Sequence, residues 1–233
     1  MKNVIILPTY NERKNISALI PLIFEAVPDI HVLVADDSSP DGTADMVREL
    51  QSKHPNLSLI IQKEKKGLGR AYINAFNHVL QGNDIRTVIM MDADLSHQPR
   101  HLIEMLRMSE QYSVVVGSRY VKDGGTEGWE LWRRLLSFWG NFYCRMITRM
   151  PIKDCTTGYN VISAALLRKI DFSKMDMSGY AFIMELKYLL HKAGGTFFEV
   201  PIIFVNRAEG ESKLTGHIVS EGVLAPWKMV MKK

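Results

Sequence analysis

Short apolar runs alternate with amphipathic helical patterns through the first half of this chain, and that alternation restricts the fold more than any other feature. Residues 4–7 lead into a helical pattern over 13–27, residues 32–35 into one over 43–52, residues 57–62 into one over 69–80, and residues 88–91 into one over 99–109. Residues 114–117 form a fifth apolar run. Repeated β-α units of this length build a mostly parallel sheet flanked by helices. In such sheets ligands gather outside the carboxyl ends of the strands. The residues that follow each run are therefore where function is to be sought.

With 233 residues, the chain is long enough for one large domain with a substantial core. No repeat, low-complexity tract or linker divides it, so residues 1–220 are expected to form one domain and 221–233 a basic C-terminal tail. The balance of 29 basic against 25 acidic residues leaves +4. That excess is too small and dispersed to argue for nucleic acid, but it suits anionic phosphates or a membrane surface. Cys144 and Cys155 make neither a disulfide framework nor a C-x-x-C pair, which reads as a reducing, cytoplasmic setting. The N-terminal apolar run is too short for a signal peptide and reads as the first strand. No window approaches the ~18 uninterrupted apolar residues of a spanning helix. Residues 121–130 and 206–216 read as loops beside a site.

The fourth run ends in Asp92-Ala93-Asp94. Two residues apart on an extended strand, both carboxylates leave the same face and can reach one hard cation, directly or through water. Mg²⁺ or Mn²⁺ held by one or two carboxylates shares its remaining shell with substrate phosphates. Taken alone, such a pair can equally cap a strand or begin a helix. After the first run comes Pro8-Thr9-Tyr10-Asn11-Glu12. Pro8 ends the strand, Tyr10 offers a flat face to a base, and Thr9 with Glu12 makes a capping box for the next helix.

The second run is followed by Asp36-Asp37-Ser38-Ser39-Pro40-Asp41-Gly42-Thr43, a strong turn signal. Here the roles divide: Asp37 reads as functional, accepting from a nucleobase or a ribose hydroxyl, and Asp41 as structural. Lys65-Lys66-Gly67-Leu68-Gly69-Arg70 opens the third helix with residues that suit phosphate. Its spacing is neither a Walker loop nor a dinucleotide fingerprint, and support of the site is the favoured reading.

Together with Gly-Leu-Gly-x-Ala-Tyr at 67–72, Asp-Ala-Asp-Leu-Ser-His at 92–97 and Gly117-Ser118-Arg119-Tyr120, this ordered series resembles the family 2 inverting glycosyltransferases. Among them it is most similar to the dolichyl-phosphate (polyprenyl-phosphate) mannose synthases, over residues 3–220. The resemblance implies a single-domain, Rossmann-like fold of the GT-A type. It also implies transfer of mannose from GDP-mannose to dolichyl or polyprenyl phosphate with inversion. It places Pro8, Tyr10, Glu12, Ala35, Asp37, Asp92, Ala93, Asp94, Arg119, Arg207 and Lys213 at the nucleotide sugar. Asp92 and Asp94 would hold Mg²⁺ or Mn²⁺, and Arg133, Ser137, Arg207 and Lys213 would meet the acceptor phosphate and its lipid. Asp94, Arg119, Arg207 and Lys213 are the catalytic residues it implies.

Arg207 and Lys213 lie in Asn206-Arg207-Ala208-Glu209-Gly210-Glu211-Ser212-Lys213-Leu214 and match the family in type and spacing. A forked guanidinium and a mobile ammonium suit two anionic substrates. One departure concerns the metal: some members carry a glutamine two residues after the second aspartate, where this chain has Ser96, which leaves water to complete the shell. His97 reads as a hydrogen-bonding cap with no metal role. Asp154, in Asp154-Cys155-Thr156-Thr157-Gly158-Tyr159, is expected to hydrogen-bond the transferred sugar, and Thr157-Gly158-Tyr159 to shape its pocket. Glu185 stands open between a site acid and a structural helix residue. The alternatives are UDP-glucose or UDP-N-acetylglucosamine as donor to the same lipid phosphate, a saccharide hydroxyl as acceptor, or a non-catalytic nucleotide-sugar-binding subunit.

In the segment 129–150, Trp132, Leu135, Leu136, Trp139, Tyr143, Met146, Ile147 and Met150 recur at helical spacing. Such a stripe either faces a core or, with Arg133, Arg134, Arg145 and Arg149 among the aromatics, lies in a membrane interface. A lipid-borne acceptor needs such a face. The chain is accordingly expected at the cytosolic surface of a membrane, peripherally bound or held by a small membrane tether subunit.

Overall fold

The computed structural model describes residues 1–62, 67–175, 179–206 and 216–232, with the side chains of 179–180 and 216–221 outside that description. Strands β1 (Lys2–Thr9), β2 (His31–Asp36), β3 (Leu57–Ile61), β4 (Ile85–Met90) and β5 (Val114–Ser118) fall on the five apolar runs. Helices α1 (Arg13–Ala26), α2 (Thr43–Gln51), α3 (Leu68–Val79) and α4 (Leu102–Met108) separate them. Then come β6 (Gly125–Glu127), α5 (Leu131–Thr148), β7 (Asn160–Ser163), α6 (Ala164–Leu167), α7 (Gly179–Lys192), β8 (Phe197–Pro201), β9 (Ile203–Val205) and α8 (Gly216–Met231).

Seven strands form one sheet in the order β3-β2-β1-β4-β7-β5-β8. Neighbours are parallel except at β7, which runs antiparallel to both β4 and β5. The sheet is buried on both faces. Along β1, Val4 and Ile6 enter one core cluster while Ile5 and Leu7 enter the other, and β4 repeats this with Val88 and Met90 against Ile89. Successive strand side chains leave opposite faces, so strands apolar at every position must be sandwiched between helical layers. Ile5, Ile6 and Leu7 are fully buried, and each such side chain contributes about 1.5–3 kcal/mol. Parallel β1, β2 and β4 therefore end firmly at one edge, and the turns that follow them share it.

β6, inside the first of the two expected loops, pairs with β9, which immediately precedes the second, as a separate two-stranded parallel ribbon. Most of the second loop lies outside the described residues. The boundary expected at residue 220 falls within α8, where Ala225 and Met229 are buried in the core. Tyr143 ties α8 to α5: its hydroxyl donates to Val223 O (3.0 Å) and accepts from Trp227 Nε1 (2.9 Å). Residues 222–231 thus continue a packed helix and do not form a detached tail.

Candidate active site

Left-handed residues that are not glycine mark the turns after β1, β2 and β4: Asn11 (φ 60), Ser38 (φ 55) and Leu95 (φ 63). Such backbone costs about 1–3 kcal/mol per residue and collects at ligand sites. Asp36 holds the first two turns together. Its Oδ1 accepts from Thr9 Oγ1 (2.8 Å) and Ser39 Oγ (2.6 Å), and its Oδ2 from Ser39 N–H (2.8 Å).

The first turn of α1 is capped from across the cleft edge. Asp41 Oδ2 accepts from Arg13 N–H (3.1 Å), Thr43 Oγ1 from Glu12 N–H (3.0 Å) and Ser39 Oγ from Asn11 N–H (2.9 Å). The capping box expected of Thr9 and Glu12 is absent, because Thr9 is engaged with Asp36. Glu12 instead accepts from Asn15 Nδ2 (2.6 Å). Asp41 is structural, as its sequence context suggested. Burial opposes its ionisation, but hydrogen bonds from Thr43 and Arg13 outweigh this and keep its carboxyl below the ordinary value.

Pro8 is half-buried, Tyr10 is exposed and Asp37 is buried, its N–H donating to Thr9 O (3.0 Å). Ala35, expected at the nucleotide, is wholly buried in the core cluster that includes Tyr72 and Phe76, so its methyl is a packing group. Lys65 and Lys66 lie outside the described residues. Gly67, which precedes α3, has φ +86 and the conformational freedom that this entry to the helix requires.

Asp92 is partly exposed and Asp94 is buried. The turn between them and α4 is closed locally, with Asp94 Oδ1 accepting from Ser96 N–H (3.1 Å). His97 Nδ1 accepts from Asp92 N–H (3.0 Å), which leaves the ring proton on Nε2 in the neutral tautomer. Burial lowers the imidazole pKa against the pull of Asp92 and Asp94. The ring stacks on Tyr159 (4.8 Å between centroids) and meets Phe204 edge-on (5.5 Å). His97 therefore caps the turn.

The donor set is two carboxylates plus the buried Ser96 Oγ, which has no hydrogen-bond partner among the described residues. No cluster of three or more His, Cys, Asp or Glu side chains is placed to hold a metal among those residues. A pair of hard oxygen donors fits Mg²⁺ or Mn²⁺ sharing its shell with water and diphosphate, and not a nitrogen- or sulfur-rich zinc site.

Arg119 was expected at the donor phosphates, yet its guanidinium is gripped from the protein side. Nε donates to Asp154 Oδ2 (2.8 Å), Nη2 to Asp154 Oδ1 (2.7 Å) and to Thr156 Oγ1 (2.7 Å), and the Arg119 N–H also reaches Asp154 (3.0 Å). Asp154 is wholly buried. It is therefore an anchor for Arg119 and does not present its carboxylate to a sugar, contrary to the sequence expectation. Burial works against its charge, but Arg119 and Lys187 more than offset this and keep the carboxyl below its ordinary value.

The loop carrying Asp154 is clamped by three residues that sequence reasoning missed. Asn141 Oδ1 accepts from Cys155 N–H (2.7 Å), Glu199 accepts from Lys153 and Asp154 N–H (2.8 and 3.0 Å), and Lys187 Nζ donates to Asp154 O (3.1 Å) and Thr157 O (2.9 Å). Burial pushes the Lys187 ammonium down to about 8, with Asp154 among the groups pulling it back. Cys144 and Cys155 are free thiols buried in the same layer. The sequence signal for this layer was Lys187, a charged residue interrupting the largely apolar α7; Asn141 gave none, because the face of α5 that it shares with Cys144 and Thr148 is not an apolar stripe. The loop ends at Gly158, where a Cβ would stand 3.3 Å from Asp92 Oδ1.

The acceptor-side residues gather around the ribbon. Arg133 lies over the Trp129 ring (4.1 Å) and reaches Asn206 Oδ1 (3.5 Å), and Ser137 Oγ accepts from Tyr120 Oη (2.7 Å). Val205 N–H approaches Ser96 O (3.4 Å) and Asn206 N–H donates to Glu127 O (3.0 Å), so the last described residues before Arg207 abut the aspartate turn. Arg207 and Lys213 themselves lie outside the described residues. Glu185 is buried on α7 and pairs with Lys232, the residue after α8 (3.2 Å), a structural tie between α7 and the end of α8.

α5 turns its apolar side outward. Trp132, Trp139 and Met146 are 57, 60 and 64% exposed, with Leu135, Leu136, Phe138 and Phe142 beside them, while its buried positions are Asn141, Cys144 and Thr148. Val223, Leu224, Trp227 and Val230 of α8 extend this exposed apolar surface. Among the described residues no helix is long and apolar enough to cross a membrane.

A paired-carboxylate turn at the edge of a doubly covered, mostly parallel sheet agrees with what relatedness shows. Residues 4–174 match Glycosyl transferase family 2. The chain belongs to that family. As a family 2 glycosyltransferase it is an enzyme whose fold and motif order serve sugar transfer. It is 37% identical over 225 residues to the undecaprenyl-phosphate mannosyltransferase of Micrococcus luteus, covering 96% of this chain and 92% of that one. It is also 37% identical over 231 residues to the polyprenol monophosphomannose synthase of Mycolicibacterium smegmatis, covering 97% and 86%.

Among solved structures it is similar to the Pyrobaculum calidifontis mannosyltransferase PcManGT in complex with GDP-Man and Mn²⁺ (TM-score 0.66, 18% identity). All of this chain is covered there, but only 64% of that chain. The mannosyl-3-phosphoglycerate synthase of Rubrobacter xylanophilus gives a TM-score of 0.68 at 20% identity, covering 99% and 72%. These two likenesses establish the GT-A glycosyltransferase fold.

Proposed function

We propose that this family 2 glycosyltransferase moves mannose from GDP-mannose to a polyprenyl phosphate, with inversion at the anomeric carbon. The observation that carries the reading is the meeting of the Asp92–Asp94 turn with the Arg133–Asn206 corner, through the approach of Val205 to Ser96. It occurs in a chain 37% identical to two enzymes named for mannosyl transfer to a polyprenyl phosphate or synthesis of its product. Donor and acceptor anions would there be brought within one step of each other. Asp37 and Tyr10 would take the nucleoside, and Asp92 and Asp94 the divalent ion.

A phosphate monoester has a second pKa of ~6, so the acceptor is largely dianionic near neutrality and carries its own nucleophilic charge. No general base has to be supplied, unlike transfer to a sugar hydroxyl. Positioning and charge stabilisation then carry the chemistry. Mg²⁺ or Mn²⁺, when bound, supplies positive charge to the departing diphosphate. Arg207 and Lys213 offset repulsion between the two anions. Arg119, held by Asp154, shapes the wall beside them.

The outward apolar face of α5 and α8 supports peripheral attachment to a membrane, where the lipid acceptor resides. Trp side chains with flanking Arg and Lys suit the headgroup boundary. A donor panel of GDP-mannose, UDP-glucose and UDP-N-acetylglucosamine with polyprenyl phosphate and Mn²⁺, tracking labelled lipid, tests the assignment. Labelled lipid from GDP-mannose alone is expected, and nuclear magnetic resonance of the product anomer reads inversion. Lys213→Ala should chiefly raise the KM for lipid phosphate. Nucleotide-sugar binding without transfer to any acceptor would instead mean a non-catalytic subunit.

A further inference from the structure

Lys187 is a fully buried lysine on α7 whose stem runs beneath the 154–158 loop. Its Nζ donates to two carbonyls of that loop, Asp154 O at 3.1 Å and Thr157 O at 2.9 Å. Those carbonyls bracket the turn. On one side the turn holds Arg119 through the Asp154 carboxylate, at 2.7 and 2.8 Å. On the other it ends in Gly158, which lies so close to Asp92 that an added methyl would meet Oδ1 at 3.3 Å and His97 Cε1 at 3.5 Å. One buried ammonium therefore fixes the spacing between an arginine wall and a carboxylate of the aspartate pair. Burying a lysine is costly, and a helix that only had to fill a core would carry an apolar residue here.

We propose that Lys187 is a positioning residue of the donor site. It holds the 154–158 loop against Asp92 and so sets the placement of the carboxylate pair without touching substrate. The inference rests on the reading of Asp92 and Asp94 as the diphosphate and metal anchor. Loss of the two hydrogen bonds strands the buried Asp154 O, which must turn toward a new donor or let water in, and leaves Thr157 O held by Asn160 Nδ2 at 3.1 Å. Either response shifts Gly158 relative to Asp92. Partners that orient a metal ligand from behind change affinity or activity by about 10–100-fold when removed.

The test uses the whole protein. Lys187→Met is compared with wild type in three measurements: the thermal midpoint, calorimetric binding of GDP or UDP in Mn²⁺ without acceptor, and kcat with KM well below each variant's midpoint. Ile23→Ala, a core truncation in the last turns of α1, serves as the stability control. The expected result for Lys187→Met is about 10-fold weaker Mn²⁺-dependent nucleotide binding and a kcat lowered by about 10–100-fold, with the KM for lipid little changed. Ile23→Ala should lower the midpoint while keeping wild-type binding and kcat.

Wild-type nucleotide affinity and kcat in folded Lys187→Met would overturn the proposal, as would the same losses in Ile23→Ala. If Lys187→Met does not fold, Lys187→Gln keeps a polar end on a shorter stem and is read by the same two outcomes. The binding measurement needs no sugar transfer. Failure of the proposed donor or acceptor is therefore distinguishable from failure of this inference.

Discussion

Arg119 and Asp154 form a two-pronged buried pair, Nε to Oδ2 at 2.8 Å and Nη2 to Oδ1 at 2.7 Å, with side chains 6 and 0% exposed. A buried pair of this kind is not evidence of net stability, because desolvation opposes the attraction. Removing one partner is a different matter: it leaves an uncompensated charge and costs about 3–5 kcal/mol. Arg119→Met is therefore expected to lower the thermal midpoint by about 10 °C in a chain of this size. The double variant Arg119→Met, Asp154→Leu should recover much of that loss. Circular dichroism melts of both single variants and the double variant measure the coupling. Additive losses would mean that the pair does not act as a unit.

Asp154 also shapes the acid limit of the fold. Its carboxyl is held below the ordinary value in the folded chain, where burial raises it and Arg119 lowers it further than that. The folded state thus favours the ionised form. Its contribution is complete above about pH 3.9, the unfolded value, and is lost as pH falls through the depressed folded value. Wild type should lose stability on acidification below that point more steeply than Asp154→Asn, although the variant is less stable at neutrality. Denaturant midpoints collected down the acid range check this, and parallel curves would refute it.

Five strands, four helices and the paired aspartates were legible because each depends on local pattern. The apolar runs at 4–7 and 88–91 are short, unbroken and followed by turn or acidic residues, and Asp92-Ala93-Asp94 comes directly after the second. The layer behind the site was not legible. Arg119, Asn141, Asp154, Lys187 and Glu199 come from five separate segments, and no spacing rule links them. β7 escaped for a related reason, since its antiparallel place between β4 and β5 is fixed by tertiary pairing and not by its short sequence. For α5 the period was plain but its direction was not. Only the packing shows that Asn141, Cys144 and Thr148 face inward while the tryptophans face out. At α1, the capping box predicted from Thr9 and Glu12 lost to Asp36, a residue 27 positions away from Thr9.

Gly158 offers a way to move Asp92 without unfolding anything. Its φ is not left-handed, and the neighbours of an added Cβ are the Asp92 carboxylate oxygens at 3.3 and 3.6 Å and His97 Cε1 at 3.5 Å. A methyl there must push the carboxylate by a few tenths of an ångström. Small misplacements at a reacting centre can cost up to about 100-fold in rate. Gly158→Ala should therefore melt close to wild type yet lose about 10-fold or more in kcat/KM, with weaker Mn²⁺-dependent nucleotide binding. Steady-state kinetics over a Mn²⁺ series checks the point, and full activity would show that the contact is not sensed.

Lys187 makes an alkaline prediction of opposite form to that for Asp154. Its value falls from 10.5 to about 8 on folding, chiefly through burial. Between about 8 and 10.5 the unfolded chain binds more protons than the folded one, so stability rises with pH across that window through this group. Below about 8 both states are charged and the penalty of burial is felt in full. Other groups titrate there too, but Lys187→Met removes this one alone. The stability of wild type relative to the variant should grow steadily across the window. A difference that stays flat would place Lys187 in a more hydrated setting than its burial implies.

The face formed by α5 and α8 predicts vesicle binding that depends on charge as well as on tryptophan. Arg145 and Arg149 are exposed beside Phe142 and Met146 on that face. Each basic residue near an anionic bilayer surface contributes about 1 kcal/mol, so Arg145→Gln with Arg149→Gln should weaken partitioning by about 30-fold. The effect should shrink in high salt as the charges are screened. Trp139→Ser should weaken binding in all salt conditions, because its contribution is burial of the indole in the boundary region. Neither change disturbs a packed core, so both proteins should melt within a few degrees of wild type. Flotation with vesicles of neutral lipid, and of neutral lipid mixed with an anionic one, separates the two contributions. Binding that ignores all three substitutions would mean that membrane contact is made elsewhere or through a partner protein.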